Sequence, residues 1–370
     1  MNGYKILLRK FIFKIILKDY IKSKITSGEQ LTLDDGVCLF REFDLHELGI
    51  IADTTRRKLH GNNVYYVVNA HINPTNICKI KCPLCAFAAN ENDSRGYIIE
   101  IDEILRRVQT AANNNITQIH IVSSIHPSRP FDWYCDIISS IHSAFPSINI
   151  KAYTAVEIAA FAESSGMSIS EVLIELRKRG LSSLPGGGAE IFDENVRKII
   201  APNKISAKVW LNVHRIAHKL GIVTNASMLF GHIETYKQRV DHLIQIRNLQ
   251  EESINADFGY FDCFVPLVYH SLNTELSKTT KIDPISPQEI LRVVAVSRLI
   301  LNNVSHIKSY WVTFGESLAQ VALSYGADDF DGTVFEEKIH HDAGSNAPIG
   351  LTEQRIRDLI KGANRIPVKK

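Results

Sequence analysis

From about residue 61 to the C-terminus, short β-branched and aromatic runs alternate with longer amphipathic ones, and this alternation leaves few folds open. Strands are expected at Tyr65–Ile72, Gln118–Ser123, Asn149–Thr154, Ser182–Leu184, Val223–Leu229, Tyr260–Val268 and Ile307–Val312, with a weaker one near Ala327–Val334. Helices are expected at Ile101–Asn113, Trp133–Ala144, Ser170–Arg179, Asp193–Ile200, Ala207–Leu220, Gln238–Gln250, Pro287–Asn302 and Glu316–Tyr325. Regular strand–helix alternation implies a parallel α/β sheet. No dinucleotide-type glycine fingerprint follows the first strand, which favours a closed (β/α) TIM-type barrel over an open doubly wound sheet. We expect one barrel over residues 61–370, preceded by a helical extension over residues 1–60. Within that extension, Thr32 with Asp34 and Asp35 reads as a capped helix start.

In such barrels chemistry gathers at the carboxyl ends of the strands. After the first strand comes Cys78-Lys-Ile-Lys-Cys82-Pro-Leu-Cys85. A Cys-x3-Cys-x2-Cys spacing lets one short loop present three soft ligands to a metal centre. A four-iron cubane held by three thiolates keeps one iron open, as a catalytic zinc keeps one position open. A structural zinc site would pair ligands from two loops, with His71 as a nearby fourth. A redox dithiol would use Cys82 and Cys85 and leave Cys78 idle. Buried structural thiols would not sit beside Lys79, Lys81 and Pro83. Ligand count and spacing select the open-site cluster, and the two lysines are expected to help keep the thiolates deprotonated. The other cysteines, Cys38, Cys135 and Cys263, are scattered singly through apolar stretches, which fits a reducing cytosol rather than a disulfide framework.

Net charge is +2, too balanced for a nucleic-acid footprint. The first 25 residues interleave Lys5, Arg9, Lys10, Lys14 and Lys18 with Ile6, Leu7, Leu8, Phe11, Ile15 and Ile16. Lys14 interrupts an apolar run already short of the ~20 residues a membrane span needs, and no small-residue cleavage site follows. One reading is a basic amphipathic helix in weak contact with a membrane surface. The other, carried forward here, is a helix docked on the domain with solvated lysines.

Other rim positions follow the remaining strands. Ser123 and Ser124 end the second, and Thr154 and Glu157 follow the third. Gly186-Gly187-Gly188-Ala189-Glu190 follows the fourth, where glycines permit a close backbone–ligand approach and Glu190 is a candidate for ribose or substrate contact. An alternative is a loop needing positive φ, with Glu190 as a first-turn acid. After the fifth strand, His232 with Glu234 nearby is a candidate general acid/base. His340 and His341, beside Glu336 and Glu337, read as solvated charge on a helix face.

The triplet resembles the signature of radical S-adenosylmethionine (SAM) enzymes. More narrowly, His71-Ile-Asn-Pro-Thr-Asn-Ile-Cys78, Lys151-Ala-Tyr-Thr-Ala-Val-Glu-Ile158, Ser183-Leu-Pro-Gly-Gly-Gly-Ala-Glu-Ile-Phe192, Met228-Leu-Phe-Gly-His-Ile-Glu-Thr235 and Asp331-Gly-Thr-Val-Phe-Glu-Glu-Lys338 are similar to the aminofutalosine (aminodeoxyfutalosine) synthase family. The sister cyclic dehypoxanthinyl futalosine synthases share the Gly-Gly-Gly-Ala-Glu and Gly-His-x-Glu-Thr stretches. The resemblance covers the chain from about residue 27 onward.

It implies that Cys78, Cys82 and Cys85 hold a 4Fe–4S cluster whose fourth iron is chelated by SAM. It also implies a one-electron donor such as flavodoxin or ferredoxin. The 5′-deoxyadenosyl radical would add to the vinyl carbon of 3-[(1-carboxyvinyl)oxy]benzoate, giving 6-amino-6-deoxyfutalosine on a route to menaquinone. By position, Leu84, Ser123, Ser124, Gly186, Gly187, Gly188 and Glu190 would contact SAM, with His232 and Glu190 as candidate catalytic groups. Two positions depart from the family pattern. Leu84 stands where an aromatic residue usually meets adenine, and Ser123-Ser124 stands where a glycine pair usually meets the methionine end.

Overall fold

The computed structural model describes residues 2–370, with side chains from Lys14 onward. The basic and apolar side chains ahead of Lys14, on which much of the membrane-surface reading rests, lie outside the described residues. Three helices open the chain: α1 (Asn2–Ser27), α2 (Leu33–Glu42) and α3 (Leu45–His60). Thr32 caps α2 as the sequence suggests, its hydroxyl accepting from the Asp35 N–H while the Asp35 carboxylate accepts from the Thr32 N–H at 3.0 Å. The described lysines of α1 are paired with carboxylates, Lys14 while remaining exposed. Lys14 meets Glu42 at 2.7 Å, Lys22 meets Glu47 at 2.6 Å, and buried Lys24 meets Asp35 at 3.0 Å. Phe40 stacks on Tyr236 at 4.7 Å, and Arg292 donates to the Phe43 carbonyl at 2.8 Å, so α2 lies against the barrel's own helices. One apolar core runs unbroken from Ile21 and Leu39 into the barrel. Among the described residues no helix is long and apolar enough to cross a membrane.

The strands are β1 (Asn63–Val67), β2 (Asn69–Ile72), β3 (Gln118–Ile121), β4 (Asn149–Ala152), β5 (Leu181–Ser183), β6 (Thr224–Phe230), β7 (Phe261–Val268), β8 (His306–Ile307), β9 (Asp329–Gly332) and β10 (Ile366–Lys369). All pairings among them are parallel. The ladders run β2-β3-β4-β5, β6-β7-β8 and β10-β1-β9. Parallel bridges Leu184 to Thr224 and Lys308 to Asp329 join them into a closed ring. The expected TIM-like (β/α) barrel is therefore present, with β1 and β2 as two halves of one stave.

The structure differs from the sequence expectation at three strands. The expected strand Tyr65–Ile72 breaks at Val68, because its lower half pairs with β10 and β9 and its upper half with β3. The expected strand Ile307–Val312 is only two residues long. The chain turns at Ser309–Tyr310 into a helical turn, Trp311–Phe314, whose Trp311 indole donates to the Gly332 carbonyl at 2.9 Å. Trp311 and Thr313 are thus in a helical turn and do not end a strand. Finally, β10 escapes a sequence reading because Pro367 sits inside it. A proline is tolerated there because β10 pairs on one side only, with β1.

Candidate active site at the barrel mouth

The loop after β2 has no regular structure, so its shape rests on individual hydrogen bonds. Cys78 donates its N–H to the Ala89 carbonyl at 3.1 Å, and Ala89 returns one to Asn76 at 2.8 Å. The Leu84 N–H donates to Ile200 at 3.2 Å, and Pro83 accepts from the Leu276 N–H at 2.8 Å. The Asn76 side chain ties the loop to the Arg95 carbonyl and the Tyr97 N–H, both at 2.9 Å. Cys78, Cys82 and Cys85 all face one cavity and all three are free thiols. Burial pushes the Cys82 thiol up to about 11, with Lys204 opposing it. Burial also raises Cys85, against Lys204 and the N–H groups of Phe87 and Ala88. Lys79 and Lys81 point to solvent, so the cation beside the sulfurs is Lys204 rather than the expected loop lysines. Three soft donors lining one cavity beside the half-buried Lys204 suit an iron–sulfur cluster. Thiols raised by burial give up their protons when metal takes their place.

The cavity has a volume of about 420 Å³ and runs from this loop down into the barrel. Leu84, Ser123, Ser124, Gly186, Gly187, Gly188 and Glu190 all line it, so the sequence-predicted SAM contacts are brought together. Ser123 and Ser124 are held by backbone contacts. The Ser123 N–H donates to Glu157 at 2.7 Å, and the Ser124 N–H donates to Thr75 at 3.2 Å. Glu157 also accepts the Thr154 N–H at 2.7 Å. Burial raises its carboxyl to about 7 against those two donors.

The glycines answer to the chain's own packing as well as to any ligand. A Cβ on Gly186 would lie 2.5 Å from the Ala226 carbonyl carbon of the neighbouring strand, and Gly188 has φ of +80°. Glu190 is buried with its backbone at φ +48°, and its carboxylate is paired with Lys204. Burial alone would raise it, but Lys204 holds it below the usual carboxylate range.

His232 is not on the cavity wall. Its Nε2 faces the Leu229 carbonyl at 3.1 Å, and its Nδ1 lies 2.8 Å from the Ile233 N–H and 2.9 Å from Glu234. Glu234 accepts from the N–H groups of Gly231 and His232 and pairs with Arg239. Both ring nitrogens are therefore occupied within one turn. His340 and Glu337 correct the sequence reading in the other direction. They line the cavity, Glu337 is buried, and it pairs with His341 at 2.9 Å.

Sequence reasoning also missed the lower cavity. Along β2, β3 and β4, alternate positions carry Asn69 and His71, Gln118 and His120, Asn149 and Lys151, and all of them face the lumen. Strands of a parallel barrel are normally apolar on both faces, so polar residues at every second position were the available signal. Lys204 had no local signal, because only the fold brings it to Glu190 and the cysteines.

The comparisons agree with this geometry. The family described as the Radical SAM superfamily matches residues 72–246, and that described as the CofH/MqnC C-terminal region matches residues 258–370. An aminodeoxyfutalosine synthase of Thermus thermophilus is 41% identical over 95% of this chain and 93% of its own. A 5-amino-6-(D-ribitylamino)uracil–L-tyrosine 4-hydroxyphenyl transferase of Methanocaldococcus jannaschii is 38% identical over 92% of this chain and 95% of its own. Among solved structures, methylornithine synthase superposes with a TM-score of 0.74 at 16% identity, covering 94% of this chain and 97% of that one. That likeness concerns the fold alone.

Proposed function

Because the chain belongs to the radical SAM superfamily, in the group that includes aminodeoxyfutalosine synthase, we propose that it joins the 5′-deoxyadenosyl group of SAM to 3-[(1-carboxyvinyl)oxy]benzoate, forming 6-amino-6-deoxyfutalosine for menaquinone biosynthesis. The observation that carries this reading is the free Cys78–Cys82–Cys85 triplet at the mouth of a cavity of about 420 Å³. The enzyme uses a 4Fe–4S cluster and SAM, which when bound supply a 5′-deoxyadenosyl radical on one-electron reduction. Cys78, Cys82 and Cys85 hold the cluster.

The chain's own work is binding, orientation and exclusion of water. Leu84 covers one side of the SAM site with apolar surface. The Ser123–Ser124 turn, fixed by Glu157 and Thr75, would bound the methionine end of the site. Glu190, fixed by Lys204, would hold the ribose hydroxyls. His232 acts by holding the turn after β6, through Glu234 and Arg239. A flavodoxin- or ferredoxin-type donor in a reducing cytoplasm completes the system.

A second reading, transfer of a tyrosine-derived 4-hydroxyphenyl group, has a relative of nearly equal identity behind it. One experiment separates the two. Anaerobically reconstituted protein is given reductant and SAM, then either the enolpyruvyl benzoate or tyrosine with the ribitylaminouracil. Mass detection of aminodeoxyfutalosine in the first mixture alone is expected. The transferase product, or release of 5′-deoxyadenosine without coupling, rejects the proposal and in the latter case leaves the sister cyclisation standing.

A further inference from the structure

The charged groups that line the cavity are compensated with one exception. Glu157 accepts two backbone N–H groups, Glu190 is paired with Lys204, and Glu337 with His341. Lys308 spans Asp329 at 3.1 Å and Asp331 at 2.6 Å, and Lys370 reaches Asp329 at 3.1 Å and Asp262 at 3.5 Å. Among the described residues, Lys151 alone of the lining cations has no carboxylate and no hydrogen-bond acceptor in reach. It sits in the lumen, one residue pair below the Thr154 rim, where burial disfavours its charge. Lys151 is half-buried and opens onto the cavity, so it is the one lining charge left for a ligand's anion to meet.

The neighbours of Lys151 sharpen what that anion must be. Strand register places His71, His120 and Lys151 side by side in one row across β2, β3 and β4. The two imidazoles meet edge to face at 4.5 Å, and the Nε2 atom of each is buried without a partner. Burial disfavours the charged form of both rings, His120 the more, and a neutral imidazole carries one N–H to donate. A dianion such as phosphate would face the nearby Asp331 and Asp329. A planar monoanion needs only one cation and two neutral donors. Across the lumen stand Val265, Leu267 and Tyr310, an apolar wall suited to a ring. An α-ammonium, by contrast, would find every lining carboxylate already engaged.

We infer that Lys151, flanked by His120 and His71, is the subsite that receives the benzoate carboxylate of the acceptor, with the aromatic ring lying against the β7 wall. The assignment rests on the function proposed above. The enol ether must lie near the cluster loop at the mouth, where the radical is generated, so the ring and its carboxylate extend downward to this row. Lys151 thereby selects an aromatic acid without an ammonium group.

The test is equilibrium binding to the reconstituted holoenzyme with SAM, by titration calorimetry. The ligands are 3-[(1-carboxyvinyl)oxy]benzoate and its benzamide analogue, in which only the ring carboxylate is replaced. Wild type is expected to prefer the acid by about 10- to 100-fold, the scale of a charge-assisted hydrogen bond. Lys151→Met should abolish the preference and Lys151→Arg should restore part of it, with cluster absorbance at the wild-type level in both. A wild-type preference below about 3-fold overturns the inference even if no variant folds. So does an undiminished preference in Lys151→Met. If wild type shows the Lys151-dependent preference yet makes no aminodeoxyfutalosine, the functional proposal fails while the carboxylate subsite stands.

Discussion

At the residue scale, the proposed cluster site rests on the three cysteines and Lys204. Replacing Cys82 with Ala removes one of the three thiols that the loop after β2 presents to the cavity. The reconstituted variant is expected to lose the visible iron–sulfur absorbance and all SAM cleavage, and retention of both would refute the ligand assignment. Lys204→Met has a different signature. It leaves the Glu190 carboxylate buried without its partner, and one-sided removal of such a pair costs about 3 kcal/mol. The expected readout is a lower denaturation midpoint, with the double variant Lys204→Met, Glu190→Gln recovering part of it. The triplet is legible in sequence because all three cysteines come from eight consecutive residues. Lys204 is not, because it stands 14 residues from Glu190 and joins it only when the loop after β5 folds back.

At the scale of elements, β5 and β6 meet where Gly186 lets the backbone of Ala226 approach. Gly186→Ala would force a Cβ to 2.5 Å from a backbone carbon, which must shift the strand pair. Overpacking of this kind costs about 1–3 kcal/mol, and thermal unfolding should show it with or without SAM. The short helix Ile339–Asp342 on the cavity wall carries a pH dependence. The Glu337 hydrogen bond raises His341 to about 9, with burial opposing it. A raised histidine contributes stability that is fully present below its unfolded value near 6.5 and is lost as pH climbs through about 9. The difference in thermal midpoint between wild type and His341→Gln should therefore be largest at pH 6 and shrink to nothing above pH 9. A gap that stays constant across that range would remove the pair from the account. The sequence pattern around His340 suggested a solvated face because helical periodicity says which residues share a side, not what that side meets.

At the scale of the whole molecule, the last strand closes the foot of the barrel. Residues 366–369 pair with β1, and Lys370 reaches Asp329 and Asp262 inside the lumen. Deleting residues 366–370 removes four strand pairings and that cation. At about 1 kcal/mol for each lost backbone hydrogen bond, the truncated chain should be less stable by a few kcal/mol, seen as an earlier unfolding transition. An unchanged transition would mean that β10 is an ornament on the barrel. By itself the sequence determined the barrel class, the capped α2 and the cysteine triplet, since each is written in residues near one another along the chain. Only the tertiary structure decided that His232 is occupied in its own turn, that Lys204 and not Lys79 or Lys81 faces the sulfurs, and that Lys151 stands uncompensated in the lumen. Those facts depend on which charges a closed ring of parallel strands brings within a few ångströms of one another, and that distance has no counterpart in chain order.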